Sequence, residues 1–254
     1  MSILHHQFHK LYQYRKSLST KVFSSRGKNL SRCDLCLQGN AFCICDSRRQ
    51  LTSNTNFLLL MHDDEILKPS NSGRLVADLI PNTTAFLWSR VEVEQSLIDL
   101  VNDERYQTIL IFPSDYASTD REVFQSVSAI PSASTKQPLF ILLDGTWRQA
   151  VKMFRKSTYL NTVPMLSFTP EHIASYAIRK GQRDFQLGTA EVAAMAIESF
   201  GEQDNAIALT HWCELFKEAT LLGRNKRLAS ELQPFSSYKD TFSNAHQKAI
   251  QNML

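Results

Sequence analysis

The sequence has no apolar run near the roughly 18 residues of a membrane span, so no transmembrane segment is expected. Glycine and proline number only eight each, which argues against a collagen-like, repetitive or linker-rich chain. There is no G-x-G-x-x-G and no Walker loop. The dinucleotide and triphosphate sites built on those turns therefore lose support. No signal peptide is recognisable, and a cytoplasmic location is the expectation. Acidic residues are missing from residues 1–33, which carry seven basic ones: Lys10, Arg15, Lys16, Lys21, Arg26, Lys28 and Arg32. The rest of the chain holds 21 basic residues against 25 acidic, a net of −4. A basic arm on a mildly acidic body points to a polyanion partner such as nucleic acid. An organelle transit peptide or a solvated tail would share that composition.

At 254 residues with 43% hydrophobic side chains, the chain can bury a sizeable core in one large domain or two smaller ones. Residues 5–23 read as a short basic amphipathic helix, whose Phe8, Tyr12 and Tyr14 could either stack on bases or pack on the body. Four of the five cysteines follow, as Cys33-x2-Cys36-x6-Cys43-x-Cys45. Such short loops can bring four thiolates around one tetrahedral ion, leaving no open coordination position, so structural zinc is expected. The rivals are disulfides, which need an oxidising compartment, and a redox C-x-x-C, beside which a second pair would be out of place. Cys213 reads as a buried core thiol. Residues 1–50 thus form a basic arm with a zinc-binding segment, and residues 51–254 an α/β body.

In the body, strands are expected at 56–61, 84–88, 108–112 and 138–143, alternating with a helix through 76–80 that Asn71 or Ser72 could cap, one at 92–101 and one from the Thr119–Glu122 capping box to about 130. Short strands are expected at 163–168, at an edge because of Pro164, and at 175–178. Helices are expected from the 187–191 segment through 196, over 205–222 and, at the tail, from 237. The alternation implies a mostly parallel sheet with helices on both faces. The informative corner is Leu142-Leu143-Asp144-Gly145-Thr146-Trp147-Arg148-Gln149. A fully apolar strand ends at an acid, and Thr146 with Gln149 three residues on makes a capping box for the next helix. Ligands of parallel sheets bind at such carboxyl ends. Phe112-Pro113-Ser114 and Leu187-Gly188-Thr189-Ala190-Glu191 fall at the same edge and with this corner could hold one ligand.

Asp144-Gly145-Thr146-Trp147 resembles the D-x-T-W signature of the DTW-domain proteins, the tRNA-uridine aminocarboxypropyltransferases. Other features match in order: Arg26-Gly27-Lys28, the cysteine motif, His62 to Glu65 with Asn71-Ser72-Gly73-Arg74-Leu75, then the Phe112 and Leu187 segments. Ser72 departs from a common Thr, Asp63 from Pro and Gly188 from Ser. The resemblance implies a SPOUT-related, knotted α/β core. It also implies transfer of the aminocarboxypropyl group of S-adenosylmethionine to N3 of a tRNA uridine, in the variable loop in bacterial members. Phe112, Pro113, Ser114, Gly145, Thr146, Trp147, Leu187, Gly188, Thr189 and Glu191 are then the candidate cofactor contacts. Arg74, Arg148, Arg179, Lys180, Arg183, Lys28 and Arg32 are the candidates for tRNA. No membrane and no obligate protein partner is expected.

Asp144 is the candidate catalytic residue, either as the base that takes the N3 proton or as an organiser of its turn. Glu191 could meet the donor's ammonium or only favour a helix N-terminus. Trp147 could stack on adenine or uracil, or simply pack. The 179–183 cations fit a solvated loop as well, and His62 reads as a satisfied loop histidine. Two other functions fit the same features: an RNA methyltransferase using the same cofactor, and a zinc-dependent RNA-binding module without catalysis.

Overall fold

The computed structural model describes residues 5–20, 30–130, 136–169, 171, 173, 187–224 and 234–253. Lys28, Arg179, Lys180, Arg183 and the strand expected at 175–178 lie outside them. The first helix, α1 (Gln7–Ser17), precedes the cysteine segment. Six strands then form one parallel sheet: β1 (Asn56–Met61), β2 (Thr83–Leu87), β3 (Tyr106–Ile111), β4 (Val123–Phe124), β5 (Gln137–Asp144) and β6 (Met165–Leu166). Their order is β2-β1-β5-β3-β6-β4. Helices α2 (Gly73–Leu79), α3 (Gln95–Val101) and α4 (Trp147–Lys156) follow β1, β2 and β5. Helices α5 (Thr189–Ser199), α6 (Gln203–Leu222) and α7 (Phe235–Asn252) complete the described chain.

The apolar runs make strands because both faces of the sheet are covered. All six residues of β1 are buried. Phe57, Leu59 and Met61 face a core shared with α2, α5, α6 and α7, which also takes in Phe8 of α1 and Ile44 of the cysteine segment. Leu58 and Leu60 face a second core beneath α3 and α4. Each such side chain contributes about 1.5–3 kcal/mol by leaving water. In register, β5 lies between β1 and β3, with Asp144 opposite Met61 and Leu110 opposite Ile141. Asp144 O accepts the His62 N–H at 2.9 Å. Because the strands are parallel, the ends of β1, β5, β3 and β6 all open at one edge, at the place where the chain crosses from β2 to β3.

Two expectations are corrected. No helix starts at the Thr119–Glu122 box; instead β4 forms, followed by a single tight turn at Val127–Ala129. Tertiary bonding overrides the local cap: Arg121 Nη2 donates to the carbonyls of Leu160 and Val163, both at 2.6 Å. Glu122 O meanwhile takes the Met165 N–H at 2.9 Å. That places β6 between β3 and β4 rather than at an edge. Pro164 is tolerated because it precedes β6 and supplies only its carbonyl, to the Leu110 N–H at 2.9 Å.

Candidate active site

At the strand-end edge lies a cavity of about 840 Å³. Ile111, Leu142, Leu166, Val192 and Met195 give it apolar walls, while Asp144, Thr146, Thr189, Ser70 and Ser72 supply polar groups. Three of the expected loops meet there. Phe112, Pro113, Gly145, Thr146, Trp147, Leu187, Gly188 and Thr189 all line it.

Asp144 is the only carboxylate among the described residues that is both buried and on this wall; its residue is 3% exposed. Its Oδ2 accepts Asn71 Nδ2 at 2.5 Å and its Oδ1 accepts the Thr189 hydroxyl. Each oxygen is thus held by one donor and keeps lone-pair capacity for another. Burial pushes the carboxyl up to about 6, even though the two hydrogen bonds pull it down. Asn71 is itself fixed, its Oδ1 accepting the Arg74 N–H at 3.1 Å and so capping α2. Glycine is required at position 73, since a Cβ there would come within 2.8 Å of Asp144 Oδ2. Asn71 and Gly73 are missing from the residues singled out by sequence for binding. Their signal was the Asn71-Ser72-Gly73 motif, which gave no hint that it folds back over the Asp144 carboxylate.

The capping at α4 takes the expected form in part: Gln149 Oε1 accepts the Thr146 N–H at 2.8 Å. At α5, Glu191 Oε2 accepts the Gly188 N–H at 2.6 Å and Oε1 pairs with Lys217 Nζ at 2.6 Å. Glu191 therefore faces its own helix start and Lys217, away from the cavity wall. Ser114 sits behind the rim, its N–H on Ser167 Oγ at 2.9 Å. His62 stacks on Trp88, with ring centroids 6.0 Å apart, and Cys213 is a buried core thiol. Trp147 is 51% exposed at the cavity mouth.

Arg74 is not available to RNA, which corrects the expectation for that residue. It is 1% exposed; Nη1 donates to Cys36 O at 2.9 Å and Nη2 to Leu35 O, and the guanidinium lies over the Phe8 ring. It ties the cysteine loop to α2. Arg148 is exposed. Arg32 is half-buried and donates to Leu37 O at 2.9 Å. Of the arm's aromatic residues, Phe8 packs in the core and Tyr14 is exposed.

The four cysteines converge without disulfides. Cys33 and Cys45 sulfurs are 3.6 Å apart and those of Cys36 and Cys43 are 3.8 Å apart. All four lie within 4.8 Å of one another. A tetrahedral ion with bonds of about 2.3 Å would set its ligand sulfurs about 3.8 Å apart, so this donor set fits zinc. No described helix is long and apolar enough to cross a membrane.

The model of the DTW domain matches residues 30–221. Among curated proteins, mouse tRNA-uridine aminocarboxypropyltransferase 2 is 25% identical over 182 residues, or 70% of this chain. This chain spans 59% of that relative's length. No solved structure matches.

Proposed function

The chain belongs to the DTW-domain family, and from that premise we propose that it moves the 3-amino-3-carboxypropyl group of S-adenosylmethionine onto N3 of a tRNA uridine. The products would be 3-(3-amino-3-carboxypropyl)uridine, in the variable loop, and methylthioadenosine. In this reading residues 1–50 are a basic arm with a structural zinc segment, residues 51–254 are the catalytic body, and the core is SPOUT-like. The observation that carries the reading is a buried, doubly held carboxylate on the wall of a cavity whose size suits a nucleoside-sized donor.

The donor, when bound, supplies an electrophilic γ-methylene. The apolar walls formed by Leu142, Leu166, Val192 and Met195 would take its uncharged parts and exclude water. Asn71 and Thr189 orient Asp144, whose free lone pairs would accept the uracil N3 proton as the new bond forms. With its carboxyl near pH 6, Asp144 is mostly ionised at neutral pH and still basic enough for that task. Because every carbon on a sulfonium is activated, choosing the γ-methylene over the methyl is a matter of position, and the loops at 112–114, 144–147 and 187–189 are suited to impose it.

The test is nucleoside mass spectrometry of tRNA incubated with purified protein and labelled S-adenosylmethionine. The expected result is a gain of the aminocarboxypropyl mass with release of methylthioadenosine. A methyl gain with S-adenosylhomocysteine would replace this reading with an RNA methyltransferase. No gain, with no thermal shift from the donor in zinc-loaded protein, would leave a zinc-dependent RNA-binding module.

A further inference from the structure

Phe154, Phe112 and Trp147 form one column of rings. Phe112 stacks on Phe154 at 4.6 Å and 10°, and on Trp147 at 5.6 Å and 7°. Tyr116 braces the column edge-on, 5.7 Å from the Trp147 ring. The column starts against the second core and ends in water. Phe112 is buried, whereas Trp147 is 51% exposed, and among the described residues no further ring completes the stack on its outer face. Trp147 also lines the cavity that holds Asp144, three residues earlier in the chain.

The surface beside this open face is basic. Arg148, Lys152, Arg155 and Lys156 are all exposed and recur at helical spacing along α4, and α4 contains no acid. None of the four has an ion pair among the described residues. Arg155 lies over Tyr116, which keeps its head beside the aromatic column, while Lys152 lies over Trp88, outside that column.

We propose that the outer face of Trp147 is the platform on which the acceptor nucleobase stacks, and that the Arg148–Lys152–Arg155–Lys156 stripe holds the flanking phosphates of single-stranded RNA. The inference rests on the transferase reading and narrows it. The inner walls are apolar and suit the donor, while a half-solvated indole at the mouth meets what arrives from outside. A flat π-face joined to a cation stripe is the combination that binds unpaired nucleotides, and it sets the uracil beside Asp144.

The experiment exploits the chain's three tryptophans. Trp88 and Trp212 are buried, so added RNA should alter the emission of Trp147 alone. Intact zinc-loaded protein is titrated with oligouridylate, and separately with S-adenosylmethionine. A saturable quench by oligouridylate that disappears in Trp147→Phe is expected. Affinity for labelled oligouridylate should fall about tenfold in Trp147→Ala. Replacing Arg148 and Lys156 by Ala should flatten the salt dependence of binding while leaving the quench at saturation intact. The proposal is overturned if the quench persists in Trp147→Phe, if S-adenosylmethionine alone produces all of it, or if Trp147→Ala binds RNA normally. A Trp147 quench without aminocarboxypropyl transfer would sink the transferase reading and keep the platform. Normal transfer and an unchanged KM for tRNA in Trp147→Ala would do the reverse.

Discussion

Replacing Asp144 by Asn should make the protein more stable at neutral pH and inactive. Burial raises the Asp144 carboxyl from 3.8 to about 6, a shift of roughly two units at 1.36 kcal/mol each, or about 3 kcal/mol. The group is 3% exposed, so little of this is lost to solvent screening. Because the folded state holds the proton more tightly than the unfolded chain, the carboxyl favours folding below pH 3.8. That advantage is lost as pH rises through about 6, and above it the folded state carries a desolvated carboxylate. Asn removes that charge yet can still accept from Asn71 and donate to Thr189, whose hydroxyl turns round. The variant's advantage should be about 3 kcal/mol at pH 7.5 and about 1 kcal/mol at pH 4.5. Urea unfolding at both pH values measures it, and zinc loss at low pH affects both proteins alike. An advantage independent of pH, or a less stable variant at pH 7.5, would refute the reasoning, because the two hydrogen bonds would then outweigh desolvation.

Three more outcomes follow from the same geometry. With Asp144 as proton acceptor, log kcat/KM should climb with unit slope to a plateau above about pH 6; a flat profile from pH 5 to 8 would remove it from that role. Gly73→Ala places a methyl 2.8 Å from Asp144 Oδ2, so it should cost about 1–3 kcal/mol in thermal unfolding and most of the turnover; retained turnover would mean the carboxylate can move freely. Arg74→Met strands the carbonyls of Leu35 and Cys36, which should cost about 1–3 kcal/mol and speed zinc release to a chelator; an unchanged release rate would mean that the metal bonds alone hold the loop.

What the sequence reveals is set by how local the cause is. The run ending at Asp144 reads as a strand because burial on both faces demands apolar residues throughout, and the Thr146–Gln149 cap marks the next helix start from four residues. Spacing alone likewise gathers the four cysteines. By contrast, 119–124 carries a genuine cap signal that loses to Arg121 and to pairing with β6, partners some 40 residues away. Arg74 fails in the same manner. Nothing nearby in sequence says that its guanidinium will meet the carbonyls of residues 35 and 36. The clamp on Asp144 is also remote, joining residues 71, 144 and 189. Pattern reading therefore finds the acid, while only the fold finds what tunes it.

The basic arm illustrates why a truncation would be a poor probe of RNA contact. Phe8 is fully buried, Arg15 pairs with Asp63, and His6 Nε2 meets Asp78 Oδ1 at 2.9 Å. Asp78 also takes Arg48 at 3.2 Å and Trp212 Nε1 at 3.1 Å. Burial alone would raise that carboxyl, yet the hydrogen bond and charge of His6, with Arg74 and Arg48, hold it well below the usual range. Removing the arm through α1, His6 included, would thus take a partner from a buried carboxylate and open the core, so lost RNA binding would be indistinguishable from lost fold. Lys10 and Lys16 are exposed, and among the described residues neither has an ion pair, Lys16 lying over the Tyr12 ring of its own helix. Lys10→Glu with Lys16→Glu should leave the unfolding temperature within about 1 °C, since exposed charges carry little stability. Binding of tRNA should nevertheless weaken and become less salt-dependent as phosphate contacts are lost. An unaltered salt slope in that double variant would make α1 a structural clasp, and the phosphate contacts would have to come from elsewhere, α4 being the best-placed surface among the described residues.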